Sequence, residues 1–378
     1  MKRAFCLALC SLIGLSGMPA AAVSADTAEK CILIHADTGA VLYEKSADER
    51  SLIASTTKIM TALVVLENCS LDAMVRIKPE WAGIEGSSMY IKAGDTYTVR
   101  QLLYGLLLVS GNDAAAALAG YTAGSQEAFA HMMNEKARSL GLENTSFSNP
   151  HGLDAENHYS TARDMALIMC EAMGNSDFVE IGSARSFTIG ELTYVNHNKL
   201  LRQYPGCIGG KTGYTMACGR SLVSCAERDG MRLVCVTLSD PDDWNTHTRL
   251  YDWAFENFSY ESIVPLFTEL KVPLISGHTD YVEVGCLRDS MALLPRTGDY
   301  SIRIELPGFV YAPIKQGETL GRITVRMDGV ELGSADLCAA EAAPRDDTLK
   351  LTPWERFRLT WYRTNKLGAF CPAFRSMI

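Results

Sequence analysis

The stretch "IASTTKIMTA", residues 53–62, sets Lys58 inside a run that otherwise reads as a buried helix, with Ile59, Met60, Leu63, Val64 and Leu66 following it. Ser55 stands one helical turn earlier. An unpaired ammonium in an apolar interior is costly, so such a group loses its proton or acquires partners. Any fold of this chain must therefore build a polar pocket at this helix. A lysine kept there as a neutral amine would be a usable base.

The N-terminus has a different character. Lys2 and Arg3 precede the apolar run "AFCLALCSLIGL", and "AAAVSA" then offers small residues for cleavage, most simply after Ala25. This is the pattern of a secretory leader, too short to span a membrane, and it predicts a signal peptide over 1–25 and an exported protein. No later segment has eighteen uninterrupted apolar residues, so no spanning helix is expected. Loss of Lys2 and Arg3 takes the formal charge from −9 to −11. Nucleic acid is excluded as a partner on this ground, because phosphate binding needs a basic patch. Two of the twelve cysteines leave with the leader, and the other ten show no CxxC spacing. Lying within strand and helix patterns, they read as small hydrophobes and not as a disulfide scaffold. The histidines include no HExxH and have no cysteine at ligand spacing, so no metal or other cofactor is expected.

The chain between shows two patterns. "CILIHADTGAVLYEK" reads as a hairpin turning at Asp37-Thr38-Gly39. The buried helix over 55–68 follows, then an apolar helix broken at Ser110-Gly111-Asn112 and an alanine-rich helix from about Asp113. "SQEAFAHMMNEKARSLG" is an amphipathic helix, and "STARDMALIMCEAM" opens with Thr161 and Asp164 at capping-box spacing. "GGKTGYT", "GRSLVSCAE" and "MRLVCVTLS" read as a meander with Asp229-Gly230 turning its last pair, closed by a helix over "WNTHTRLYDWAFENF". The class is α+β: an antiparallel sheet flanked by helices with a helical subdomain, over 26–262. Short alternating strands then predict a small all-β domain over 263–345. The tail, 346–378, places Trp354, Phe357 and Trp361 at helical spacing beside Arg356, Arg358 and Arg363. That amphipathic pattern fits an anionic membrane surface and equally a terminal helix docked on its own domain.

Three short motifs carry the chemistry: Ser55-x-x-Lys58, Ser110-x-Asn112 and Lys211-Thr212-Gly213. Each alone is weak. Together and in this order they head a buried helix, sit on an interhelical loop and lie in a strand, and that set is the active-serine signature of penicillin-binding proteins and serine β-lactamases. The chain resembles the serine D-Ala-D-Ala carboxypeptidases, the low-molecular-weight penicillin-binding proteins of peptidase family S11. The likeness extends through "DTGAVLYEKSADERSLIASTTKIMTAL", "AGDTYTVRQLLYGLLLVSGNDAAAALA", "FSNPHGLDAENHYSTARDMA" and, in the β domain, "YAPIKQGETLGRITV". It implies a β-lactamase/transpeptidase-like catalytic domain over 26–262. It also implies that stem peptides of peptidoglycan ending in D-Ala-D-Ala are the substrate, that β-lactams are covalent inhibitors, and that the tail contacts a membrane surface.

The roles follow. Ser55 and Lys58, three apart on a helix, share a face, as a nucleophile and its base require. Burial and a second cation, Lys211, would lower the pKa of Lys58. By resemblance, Ser110 relays a proton to the leaving amine, Asn112 holds the substrate amide, and Lys211 and Thr212 bind the terminal carboxylate. Gly213 is expected to keep its strand open to the substrate backbone. The backbone N–H groups of Ser55 and Tyr214 are the expected oxyanion hole. His151 reads as a structural loop histidine, since a Ser/Lys pair needs no imidazole base, and Arg249 is a candidate to supplement Lys211. Ile208, where the family often has an acidic residue, and Cys218, in place of a commoner alanine, are departures that would alter the rim of the site. Endopeptidase action on cross-links, a serine β-lactamase and a non-catalytic wall-binding protein are the alternatives. Nothing after Asn112 resembles the Glu-x-x-Leu-Asn loop of class A β-lactamases.

Overall fold

The computed structural model describes residues 23–263, 270–286 and 290–346, together with Thr348, Pro353, Trp354 and Phe357. Residues 1–22, most of the signal peptide expected over 1–25, and most of the tail, with Trp361 and its flanking arginines, lie outside the described residues. The chain divides into one compact unit over 21–256 and a second from Asn257 onward.

The first unit is built on a five-stranded antiparallel sheet. Its strands are β1 (Lys30–His35), β2 (Val41–Lys45), β7 (Cys207–Thr215), β8 (Gly219–Arg228) and β9 (Met231–Leu238), in the order β2-β1-β9-β8-β7. Alternation explains its two faces. Val223 and Cys225 of β8 point into the main hydrophobic core, whereas Ser224 between them faces the other way and bonds His247 Nδ1 at 2.7 Å and Tyr251 Oη at 2.8 Å. Those two residues belong to α8 (Asp243–Asn257), which covers that face. Asp229 and Gly230 both have positive φ, 50° and 76°, the backbone of a two-residue hairpin turn between β8 and β9.

The opposite face carries the helical block: α1 (Lys58–Asn68), α2 (Val99–Leu108), α3 (Asn112–Ala123), α4 (Gln126–Ser139), α5 (Ala162–Met173) and α6 (Ser176–Ser183). Their starts follow local chemistry. Thr98 and Gln101 form a reciprocal capping box at α2, with bonds of 2.9 and 3.1 Å. Ser125 caps α4 and Thr161 caps α5 through the backbone N–H three residues on. Two short hairpins complete the unit, β3 (Met74–Arg76) with β4 (Thr96–Thr98) and β5 (Ser186–Ile189) with β6 (Leu192–Val195), and a four-residue helix, α7 (Leu200–Gln203), precedes β7. Neither hairpin is apparent from the sequence pattern, because each strand has only three or four residues.

In the second unit β10 (Phe258–Ser262) pairs with β13 (Met291–Pro295), and β11 (Leu270–Ile275), β12 (Tyr281–Gly285), β14 (Ser301–Glu305), β15 (Val310–Tyr311), β16 (Thr319–Met327) and β17 (Val330–Ala339) form a six-stranded sheet. The α+β class holds, with an all-β second unit. The nine cysteines among the described residues are all free thiols.

Candidate active site

The segment before α1 is a tight 3-10 turn, Ala54–Thr57, and Ser55 sits on it. Ala54 has φ +46°, in the left-handed region that non-glycine residues avoid. The turn is hemmed in by two glycines. A Cβ on Gly152, itself at φ +89°, would lie 1.9 Å from the Ala54 carbonyl oxygen. A Cβ on Gly213 would meet the Ile53 carbonyl at 3.1 Å and Thr56 Cγ2 at 3.2 Å. Gly213 thus packs β7 closely against the turn that carries Ser55.

Lys58 begins α1 and is fully buried. Its Nζ lies 3.0 Å from Ser55 Oγ, 2.7 Å from Asn112 Oδ1 and 2.6 Å from the main-chain oxygen of His151. The amide oxygen and the carbonyl can only accept. A neutral amine has two N–H bonds, which these acceptors occupy, so its lone pair is left facing the serine hydroxyl. A protonated amine donates to all three. The pocket therefore accommodates Lys58 before and after it takes a proton, with no rearrangement. Burial, and then the neighbouring Lys211 charge, hold the Lys58 pKa well below that of an ordinary lysine, against an opposing pull from Asp113. Asp113 is itself buried in the first turn of α3. It accepts from the backbone N–H of Met89 and Ala114, both at 2.9 Å, and from Ser88 Oγ at 2.6 Å, which ties the α2–α3 junction to the preceding loop.

Ser110 lies in that junction with φ +62°, and its buried hydroxyl finds no hydrogen-bond partner. Asn112 is engaged at both ends, since its Nδ2 donates to the Glu85 carbonyl at 2.5 Å. Its first task in this structure is to orient Lys58. Lys211, on β7, is buried, donates to the Thr212 carbonyl at 2.8 Å and is brought down to about 7 by desolvation. Ser55, Ser110, Thr212, Gly213 and Tyr214 all line one cavity of about 1020 Å³.

Other expectations resolve differently. The His151 ring accepts from Leu153 N at 3.3 Å, and burial with the nearby Lys58 charge lowers its pKa to about 3, so the imidazole is neutral. It is the carbonyl of His151, not the ring, that serves the site. Arg249 is no supplement to Lys211: it turns to Asp242 at 3.4 Å and to Thr246, and it does not line the cavity. Arg220 does line it, held by two bonds of 2.7 and 3.0 Å to the buried Asp243 carboxylate, whose pKa burial nonetheless raises. It stands opposite Tyr214 in the β7–β8 register, a position that strand pairing decides and no motif marks. Ile208 packs against the core and Cys218 is buried, its thiol 3.0 Å from the Leu52 carbonyl, so neither shapes the rim.

A family model described as D-alanyl-D-alanine carboxypeptidase (peptidase S11) matches residues 18–242, and one for the penicillin-binding protein 5 C-terminal domain matches 262–345. The chain is similar to the D-alanyl-D-alanine carboxypeptidase DacF of Bacillus subtilis, with 33% identity over 90% of this chain and 94% of that protein. It is also similar to DacC of Escherichia coli, with 35% identity over 82% of each. Among solved structures, penicillin binding protein 5 from Haemophilus influenzae superposes with a TM-score of 0.73 at 30% identity, covering 84% of this chain and 98% of that one. With the Ser55–Lys58 pair, the Ser110–Asn112 junction and the Lys211 strand brought to one cavity, the chain belongs to the D-alanyl-D-alanine carboxypeptidases of peptidase family S11.

Proposed function

We propose that this protein is an exported D,D-carboxypeptidase that removes the terminal D-alanine from peptidoglycan stem pentapeptides through an acyl-Ser55 intermediate, and that penicillin acylates the same serine. The observation that carries this reading is the coordination of Lys58: two obligate acceptors and the nucleophile around one buried amine. Neutral Lys58 takes the Ser55 proton as Oγ attacks the carbonyl carbon of the penultimate D-alanine. The N–H groups of Ser55 and Tyr214 receive the oxyanion. Protonated Lys58 passes the proton through Ser110, whose buried hydroxyl is otherwise unpaired, to the departing amine. Lys211 and Thr212 hold the carboxylate of the departing D-alanine, and Asn112 meets the substrate amide through Nδ2 in exchange for the Glu85 carbonyl. Water then opens the ester by the reverse proton route.

Export rests on the apolar leader before Ala25. Contact of the basic, aromatic tail with an anionic membrane surface rests on its spacing and on the exposure of Trp354 and Phe357, whose rings stack at 5.6 Å. The test of function is D-alanine release from a blocked peptide ending in Lys-D-Ala-D-Ala, by the wild type and by Ser55→Ala. Release by the first and not the second is expected. No release by a folded wild type overturns the reading.

A further inference from the structure

The carbonyl of Ala54 and the N–H of Ser55 belong to one peptide unit. That unit is planar and trans, so the two bonds point in opposite directions, and whatever fixes the carbonyl aims the N–H. The left-handed φ of Ala54, +46°, has to be held there by its surroundings. Thr57 supplies one restraint, its hydroxyl donating to the Ala54 carbonyl at 2.8 Å. The same Oγ1 lies 2.7 Å from Nε2 of His158, 101 residues away in the chain.

The tautomer of that ring gives the bonds a direction. The backbone N–H of Ser148 donates to His158 Nδ1 at 3.1 Å, so Nδ1 carries the lone pair and a neutral ring has its proton on Nε2. Nε2–H then donates to Thr57 Oγ1, and the one hydroxyl hydrogen of Thr57 is left for the Ala54 carbonyl. The ring is 1% exposed and sits edge-on to Phe147 at 5.8 Å. Burial, and then the charge of Lys58, lower its pKa to about 4, which keeps it neutral. With both nitrogens engaged, His158 has no free lone pair to act as a base. Gly152 closes the corner, since a Cβ there would stand 1.9 Å from the Ala54 oxygen and 2.9 Å from Thr57 Oγ1. Linked hydrogen bonds polarise one another. A carbonyl that accepts in this way makes the N–H of its own amide a stronger donor.

We infer that His158 and Thr57 are positioning residues that aim and polarise the Ser55 N–H as an oxyanion donor. The inference rests on the carboxypeptidase reading, in which that N–H receives the oxyanion. Neither side chain touches the substrate or exchanges a proton with it. Their effect falls on the transition state and not on the binding that precedes it.

The test follows acylation of the whole protein by a fluorescent penicillin, with the acylation rate constant separated from the dissociation constant of the noncovalent complex. Thr57→Val keeps the side-chain shape and deletes the hydroxyl, whereas Thr57→Ser keeps the hydroxyl. His158→Leu removes both ring nitrogens, whereas His158→Gln offers one acceptor and one donor at similar reach. Thr57→Val and His158→Leu should lower the rate constant by about ten- to a hundredfold, part of what deleting an oxyanion donor costs. The dissociation constant should stay within about twofold. Thr57→Ser and His158→Gln should recover most of the rate. The infrared band of the penicilloyl ester carbonyl should lie at higher frequency in Thr57→Val than in the wild type, because a misdirected N–H bonds its oxygen less. A merely loosened fold would not give that pattern, and the Thr57 pair carries the test if His158→Leu does not fold. A wild-type rate and carbonyl frequency in Thr57→Val overturn this inference alone, as does a loss carried wholly by the dissociation constant. No acylation of a folded wild type overturns the carboxypeptidase reading with it.

Discussion

The main-chain carbonyl of His151 accepts a 2.6 Å hydrogen bond from Nζ of Lys58, 93 residues away in the chain. With Asn112 Oδ1 on the amine as well, both N–H bonds of an uncharged lysine are spoken for, and the lone pair faces the Ser55 hydroxyl. Lys58 is held by acceptors without charge.

Changing one acceptor to an anion should therefore detune the base. Asn112→Asp keeps the shape and puts a carboxylate against Lys58, which favours the ammonium and raises its pKa. Acylation of Ser55 by a fluorescent penicillin should slow at pH 7 by about tenfold or more and recover as the pH is raised. A profile merely scaled down, with no displacement along the pH axis, would refute this account of Asn112.

The turn that carries Ser55 makes a steric prediction. Gly94 and Gly152 both have φ near +90°, but a Cβ on Gly94 meets nothing within 4 Å, whereas one on Gly152 runs into the Ala54 carbonyl. Gly94→Ala should cost about 1–2 kcal/mol of backbone strain. Gly152→Ala should lower the melting temperature further and cut penicillin acylation at least about tenfold. Equal melting temperatures for the two variants would count against the packing described.

Buried Lys211 should leave a signature in stability. Its folded pKa is about 7, against 10.5 for a free lysine, so between these values the unfolded chain binds the extra proton. Stability from this group is lowest below pH 7 and rises toward pH 10.5. Lys211→Met removes the penalty. The variant's gain over wild type should be greater at pH 7 than at pH 10 by on the order of 4 kcal/mol. Denaturant unfolding at both pH values measures it, and a pH-independent difference would contradict it.

Four buried histidines work in the acid range. His35 and His158 are lowered to about 4, and His151 and His247 to about 3, each chiefly by burial. The unfolded chain protonates them near pH 6.5, so the stability they contribute is complete above that pH and is lost as the pH falls toward their folded values. The unfolding free energy should decline steeply below pH 6. His247→Gln, which removes a ring bonded to Ser224 and Thr237, should reduce the proton uptake on unfolding by about one. An unchanged slope would exclude His247 from the group.

The sequence by itself determined the class of the fold, the order of its longer elements and the residue types of the site. Periodicity marks α4 and α5, Asp229-Gly230 marks its turn, and a lysine three residues after a serine in an apolar helix marks a buried amine beside a hydroxyl. These are properties of neighbours in the chain, and local chemistry is enough to read them. What only the tertiary structure decided is how distant backbone meets them. The carbonyls of His151 and Glu85 take part in the site, yet every residue has a carbonyl, so no residue type announces one. Arg220 faces the cavity and Arg249 does not, because β7–β8 register aims the first and the surface of α8 the second. A Cβ on Gly213 would crowd the turn holding Ser55, at 3.1 Å from the Ile53 carbonyl and 3.2 Å from Thr56 Cγ2. The β5–β6 hairpin and α7 are not legible in the sequence because elements of about four residues carry too little periodicity to distinguish them from loops.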